Sequence, residues 1–153
     1  MYDLCWLFFD LGNTLISEEE AWESRLLLLV EALDRNGRPC AIDEARAALA
    51  AASAEFAPRV IVRAIEKLVD DDECRRSVLR AARYEKELEM PYAAAERVLR
   101  AVFGSYKIGI IANQSAGSIE RLKRWGLIEF VSTAFAPSNW GWKSLTRRSS
   151  LSL

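Results

Sequence analysis

The run Leu4-Cys5-Trp6-Leu7-Phe8-Phe9 is apolar at every position and stops at a single acid, Asp10. A strand that shows one face to water alternates apolar and polar residues, whereas a run with no polar position has both faces covered. Such a strand belongs to a parallel sheet with helices on its faces, and this constrains the chain more than any other feature. A second run of the same kind is KIGIIAN, residues 107–113, and a shorter one is STAFA, residues 132–136.

Between the first two runs the chain reads as helix. Residues 18–36 carry Trp22, Leu26, Leu29 and Leu33 at helical spacing, with Gly37 placed to end the helix. Asp43 is expected to cap a second helix over 43–56 that stops before Pro58. Two further helical stretches are expected at 59–69 and 72–88, the second opened by the solvated acidic run Asp70-Asp71-Asp72-Glu73. Met90-Pro91-Tyr92 marks a return. Residues 93–103 then form a helix leading through Gly104 into the second strand, and residues 118–125 a short one closed by Gly126. Strands separated by helices imply parallel pairing with right-handed crossovers.

Composition removes several kinds of function. The chain of 153 residues has no histidine, which excludes Ser-His-Asp, Cys-His and histidine–metal chemistry. Three scattered cysteines, Cys5, Cys40 and Cys74, show no paired spacing, so reduced thiols and a cytoplasmic location are expected. A net charge of −1 gives no field toward nucleic acid or an anionic membrane, and neither is expected as a partner. The apolar start is short and acidic, neither a leader nor a membrane span. The tryptophans read as packing residues. Oligomeric state is not written in the pattern.

In open parallel sheets, ligands bind beyond the carboxyl ends of the strands. Asp10 ends the first strand, Asn113 and Gln114 follow the second, and Lys143 follows the third after a loop. A carboxylate there is suited to act as a nucleophile toward phosphorus or activated carbon, and to bind Mg²⁺. The turn Gly12-Asn13-Thr14 offers amides to a phosphate, and Lys143 offers a balancing charge. Each residue also has a plainer reading: Asp10 as a turn former, Asn113 as an Asx turn, Lys143 as a surface lysine.

FFDLGNTL, residues 8–15, resembles the first motif of the haloacid dehalogenase-like (HAD) superfamily of hydrolases. KIGIIANQS, residues 107–115, resembles its second motif, and RLKRWGLIEFVSTAFAPSNWGWK, residues 121–143, the approach to its third-motif lysine. The resemblance implies an α/β fold: a Rossmann-like parallel sheet core over 1–16 and 93–153, with an all-helical cap over 17–92 inserted after the first strand. It implies Asp10 as nucleophile and Mg²⁺ ligand, the Gly12 carbonyl as a second ligand, and Thr14 as a residue that shapes the loop. Asn13, Thr14, Asn113 and Gln114 would lie against the substrate phosphate, and Lys143 would neutralise the transferring group. The implied reaction is Mg²⁺-dependent hydrolysis of a small phosphorylated metabolite through an aspartyl-phosphate intermediate. Gly12 stands where the family's phosphatases carry a general-acid Asp, and Ala112 where they carry Ser or Thr. The first departure points toward a 2-haloacid dehalogenase, because halide leaves without a proton. A catalytically silent remnant or binding module is the third alternative.

After Lys143 the family pattern continues Pro-Asp-Pro, then a helix, then a strand with acidic metal ligands. This chain reads GWKSLTRRSSLSL instead. With suitable codons, a shift back by one base turns that text into Val-Glu-Lys-Pro-Asp-Pro-Ala-Ile-Phe-Ser-Leu. The expectation is a C-terminal frameshift that truncates the parent, with the true third-motif lysine one residue later and the fourth-motif carboxylates lost.

Overall fold

A computed structural model of the protein describes residues 5–112, 117–135 and 143–144. In chain order the elements are β1 (Trp6–Asp10), β2 (Ile16–Ser17), α1 (Glu19–Arg35), α2 (Ile42–Ala54), α3 (Val60–Leu68), α4 (Asp72–Ala81), β3 (Met90–Pro91), α5 (Ala95–Phe103), β4 (Lys107–Ile111), α6 (Ser118–Arg124), β5 (Thr133–Phe135) and β6 (Lys143–Ser144). They form two compact units, one of Met1–Glu18 with Met90–Leu153 and one of Glu19–Glu89.

The first unit is built on a sheet of order β1-β4-β5-β6. The apolar runs pair as parallel neighbours, Trp6 opposite Lys107 through Asp10 opposite Ile111, then Gly109 opposite Thr133 through Ile111 opposite Phe135. β6 joins β5 antiparallel. One face of the sheet is filled. Ile108 and Ile110 are fully buried there with Leu99 of α5, Leu122 of α6, and Leu127 and Phe130 of a 3-10 turn. Each such side chain contributes about 1.5–3 kcal/mol on burial.

The other face carries Trp6 and Phe8, whose rings stack at 5.7 Å between centroids and 12° between planes. The Lys107 ammonium lies 5.5 Å from the Trp6 ring centre. Gly109 sits opposite Phe8, and a Cβ on it would overlap the Phe8 ring. Glycine weakens most strand interiors, and at this position it leaves room for the aromatic ring to lie across the neighbouring strand.

The chain leaves and re-enters this unit through adjacent short strands. β2 and β3 pair antiparallel, Ile16 opposite Pro91 and Ser17 opposite Met90, and the Tyr92 N–H donates to the Leu15 carbonyl at 3.0 Å.

The second unit is a four-helix cluster. Leu26, Leu29 and Leu33 of α1 meet Ile61 and Ile65 of α3 and Val78 of α4. Ala48, Ala52 and Ala64 form a small-residue contact that lets α2 and α3 approach closely. Gly37, at φ +70°, ends α1: its N–H donates to the Asp34 carbonyl and the Arg38 N–H to the Leu33 carbonyl, both at 2.9 Å. Asp71 caps α4 by accepting the Cys74 N–H at 2.7 Å. Among the described residues no helix is long and apolar enough to cross a membrane.

Two expectations for the helices are corrected. α2 starts one residue early with Ala41 as its cap, so Asp43 stands in the first turn, where the helix dipole favours an acid without a capping bond. The fourth helix ends at Ala81 and does not run to 88. Tertiary bonds hold the following segment out of helix: Arg25 Nε donates to the Ala82 carbonyl at 3.0 Å, and Ser24 Oγ to Glu85 Oε2 at 2.8 Å.

Gly109→Ala should lower stability by about 1–3 kcal/mol, the usual cost of overpacking, read as a drop in the urea midpoint. In a Phe8→Ala background the same change should cost much less. An equal loss in both backgrounds would show that the ring contact is not the cause.

Candidate functional site

The apolar strand brings Asp10 to the carboxyl end of β1, level with Ile111 at the end of β4 and Phe135 at the end of β5. Asp10 is exposed at the point where the chain turns out of the strand. The Leu11 N–H donates to Asp10 Oδ1 at 2.7 Å, which orients the exposed carboxylate.

Leu11 organises that turn. Its side chain is fully buried, and its carbonyl accepts N–H groups from Thr14 at 3.4 Å and from Leu15 and Ile16 at 3.0 Å each. These three amides are therefore engaged inward, and the exposed side chains of Asn13 and Thr14 are the groups the turn offers to a ligand. Asn13 has φ +52°, a left-handed conformation that asparagine tolerates far better than most residues. Its Oδ1 accepts the Glu18 N–H and its Nδ2 donates to Glu18 Oε2, both at 3.4 Å. Sequence reading does not single out Glu18, because nothing distinguishes it from Glu19 and Glu20 beside it. Gly12 bridges to Ile16 across the same turn.

Two oxygen donors on one turn, the Asp10 carboxylate and the Gly12 carbonyl, suit Mg²⁺. This ion takes oxygen ligands and keeps several waters beside one or two carboxylates and a substrate phosphate. Among the described residues no group of three or more His, Cys, Asp or Glu could hold a metal, so a closed protein cage is absent there.

The remaining site residues divide. Asn113 and Gln114 lie outside the described residues, although Ala112 carries the chain buried to the same rim of the sheet. Lys143 is in β6 at the register of Ala134. Three strand spacings separate its backbone from β1, about 14 Å at ordinary sheet geometry. None of the three cysteines is in a disulfide. Burial pushes the Cys40 thiol above its ordinary value, with Glu44 adding to the shift.

No family model matches the sequence, and no curated protein is similar to it. The fold does match solved structures. A HAD-superfamily hydrolase of subfamily IA from Geobacter sulfurreducens superposes with a TM-score of 0.64 at 15% identity, over 89% of this chain and 64% of that one. A candidate phosphatase from Clostridium difficile gives 0.61 at 10% identity, over 89% and 62%. A candidate HAD-hydrolase from Bacillus subtilis, solved bound to magnesium, gives 0.57 at 14% identity, over 88% and 64%. The chain thus has the fold of the HAD-superfamily hydrolases and spans less than two thirds of the length of these structures.

Asn13→Gly should leave stability nearly unchanged, whereas Asn13→Val should cost about 1–2 kcal/mol because a branched Cβ clashes in the left-handed region. Thermal melts of the two variants check this. Equal melting points would remove the strained turn from the description of the site.

Proposed function

We propose that Asp10 is the nucleophile of a hydrolase acting on small phosphorylated metabolites in the cytoplasm. The single observation that carries this reading is the placement of Asp10: an exposed carboxylate at the carboxyl end of a parallel strand, with one oxygen held by the Leu11 amide. That position is where ligands bind in open parallel sheets. The likeness in fold to a candidate phosphatase and to a magnesium-bound HAD-hydrolase supports the same reading.

In the reaction an Asp10 oxygen attacks phosphorus. The bond from phosphorus to the leaving oxygen breaks with its electron pair going to that oxygen, and an acyl phosphate forms on Asp10. Water then attacks the acyl phosphate, releases phosphate and restores the carboxylate. Asn13 and Thr14 orient the phosphoryl oxygens from the turn. Mg²⁺, held by Asp10 and the Gly12 carbonyl, would supply charge neutralisation at the phosphoryl oxygens.

Gly12 gives the leaving group no acid. Protonation by a positioned side chain contributes about 10²–10⁴-fold, so aryl phosphates, whose leaving groups need no proton, are the better substrates. The same glycine favours a second reading, displacement of halide from a 2-haloacid by Asp10. Reduced thiols at Cys5, Cys40 and Cys74 support a reducing compartment.

With the purified chain, p-nitrophenyl phosphate and Mg²⁺, turnover should fall at least about 10³-fold in Asp10→Asn and vanish with EDTA. Gly12→Asp should raise the rate on alkyl phosphates by about 10²-fold. Halide release from 2-chloropropionate without Mg²⁺ would favour the second reading. If neither substrate turns over and Asp10→Asn changes nothing, the chain is not a hydrolase.

A further inference from the structure

Phe56 is an aromatic residue in a glycine's place. It follows α2 in the left-handed region, at φ +53°, with its side chain 92% exposed. The Phe56 N–H donates to the Ser53 carbonyl at 2.9 Å and the Ala57 N–H to the Ala52 carbonyl at 3.2 Å. Gly37 ends α1 with the same pair of bonds at φ +70°, and has no Cβ to strain. Bulky residues rarely adopt this conformation, and such outliers cluster at functional sites. Phe56 thus joins a strained backbone to an aromatic ring left in water, and nothing among the described residues covers it.

The same helical unit has an open groove of about 180 Å³ between α3 and α4. Its walls are the partly buried side chains of Val62 and Leu79 and the buried Ile65. The carboxylates that line it are already engaged, Glu66 with Arg63 at 3.3 Å and Asp72 with Arg75 at 3.0 Å. Arg76, also on the groove, is exposed and in no ion pair among the described residues. An apolar cavity of about 150 Å³ takes up benzene, so the groove is sized for one phenyl ring. A guanidinium beside it suits the face of that ring.

We propose that Phe56 of one copy of the chain seats in the α3–α4 groove of a second copy, so that two helical units pair about a two-fold axis. Such an interface needs one patch that carries both the ring and its receptacle. Phe56 lies just before α3, and α3 itself forms one wall of the groove. This helix has 9 residues and is about 14 Å long, so both features fall within one patch of ordinary interface size. The charges fit the same pairing. Arg59 at the start of α3, and Asp70 and Glu73 around the turn into α4, are exposed and in no ion pair among the described residues. An axis that runs the two α3 helices antiparallel brings Arg59 of each copy toward Asp70 and Glu73 of the other. The chain's net charge of −1 puts no long-range repulsion between copies.

The inference rests on the helical unit and not on the reaction. Sedimentation velocity of the 153-residue chain across the micromolar range should show a concentration-dependent dimer. Phe56→Gly should raise its dissociation constant at least about tenfold. The same variant should not lower the melting temperature of the monomer, because glycine relieves the left-handed strain. Leu79→Lys, checked for an unchanged circular-dichroism spectrum, should weaken the dimer as much from the groove side. Arg76→Glu, at an exposed position outside the core, should weaken it at least about threefold. Mixing Phe56→Gly with Leu79→Lys should give a heterodimer tighter than either variant's own dimer, since one keeps the groove and the other the ring. The proposal is overturned by a chain that stays monomeric across the range, by open-ended polymers in place of a dimer, or by a dimer that Phe56→Gly leaves intact. It is equally overturned if Phe56→Gly dissolves the dimer while Leu79→Lys and Arg76→Glu leave it unchanged, which would seat the ring elsewhere.

Discussion

The parallel pairing of β1 with β4 is the interaction on which the rest of the first unit depends. It sets Asp10 beside Ile111 and, through β4 and β5, makes one rim out of three strand ends that are far apart in the chain. It buries Ile108 and Ile110 against α5 and α6 on one face. It also brings the Phe8 ring across Gly109, which a larger residue on β4 would block. Remove the register and Asp10 is an acid in a surface turn. With it, Asp10 stands where an α/β sheet presents its ligand site.

The turn after Asp10 is held from inside and leaves polar side chains on its outer side. Leu11 is buried and gathers three amides on its carbonyl, so the backbone of the loop is held from inside. Asp10, Asn13 and Thr14 stay exposed on its outer side. The same economy explains Asn13: one residue in a left-handed conformation closes the turn, and its amide side chain then links to Glu18 ahead of α1.

The two units solve their packing differently. The helical unit is closed by leucine, isoleucine and alanine contacts among its own four helices. Its surface carries paired charges such as Arg46 with Glu23, and Glu55 with Arg63 and Lys67, which hold both carboxylates below their ordinary range and add little stability at such exposure. The sheet unit fills one face and leaves aromatic and aliphatic side chains on the other. Among the described residues β1 is the end strand of the sheet, and Trp6 through Phe9 carry no lysine or proline.

Much of this was legible in the residues themselves. Unbroken apolar runs identified β1 and β4 as strands, although the run at β1 overstated its burial, since Phe8 is 51% exposed and no residue of β1 is fully buried, and Gly37 and Gly126 marked helix ends because each takes a positive φ. The FFDLGNTL text offered Asp10 as the candidate nucleophile through its resemblance to the first motif of the HAD superfamily, since an acid at a strand end is by itself as readily a turn former. Other features had no local signature. The end of α4 at Ala81 is imposed by Arg25 and Ser24, dozens of residues away, so no helix propensity could forecast it. The engagement of the Thr14, Leu15 and Ile16 amides by one carbonyl, the place of Lys143 in an antiparallel strand beside β5, and the place of β1 at the end of the sheet among the described residues are likewise set by which segments meet. Sequence determined the elements and the candidate acid, because burial and turn chemistry act residue by residue. Tertiary structure alone decided the neighbours of each strand, because pairing is a property of two segments and is written in neither.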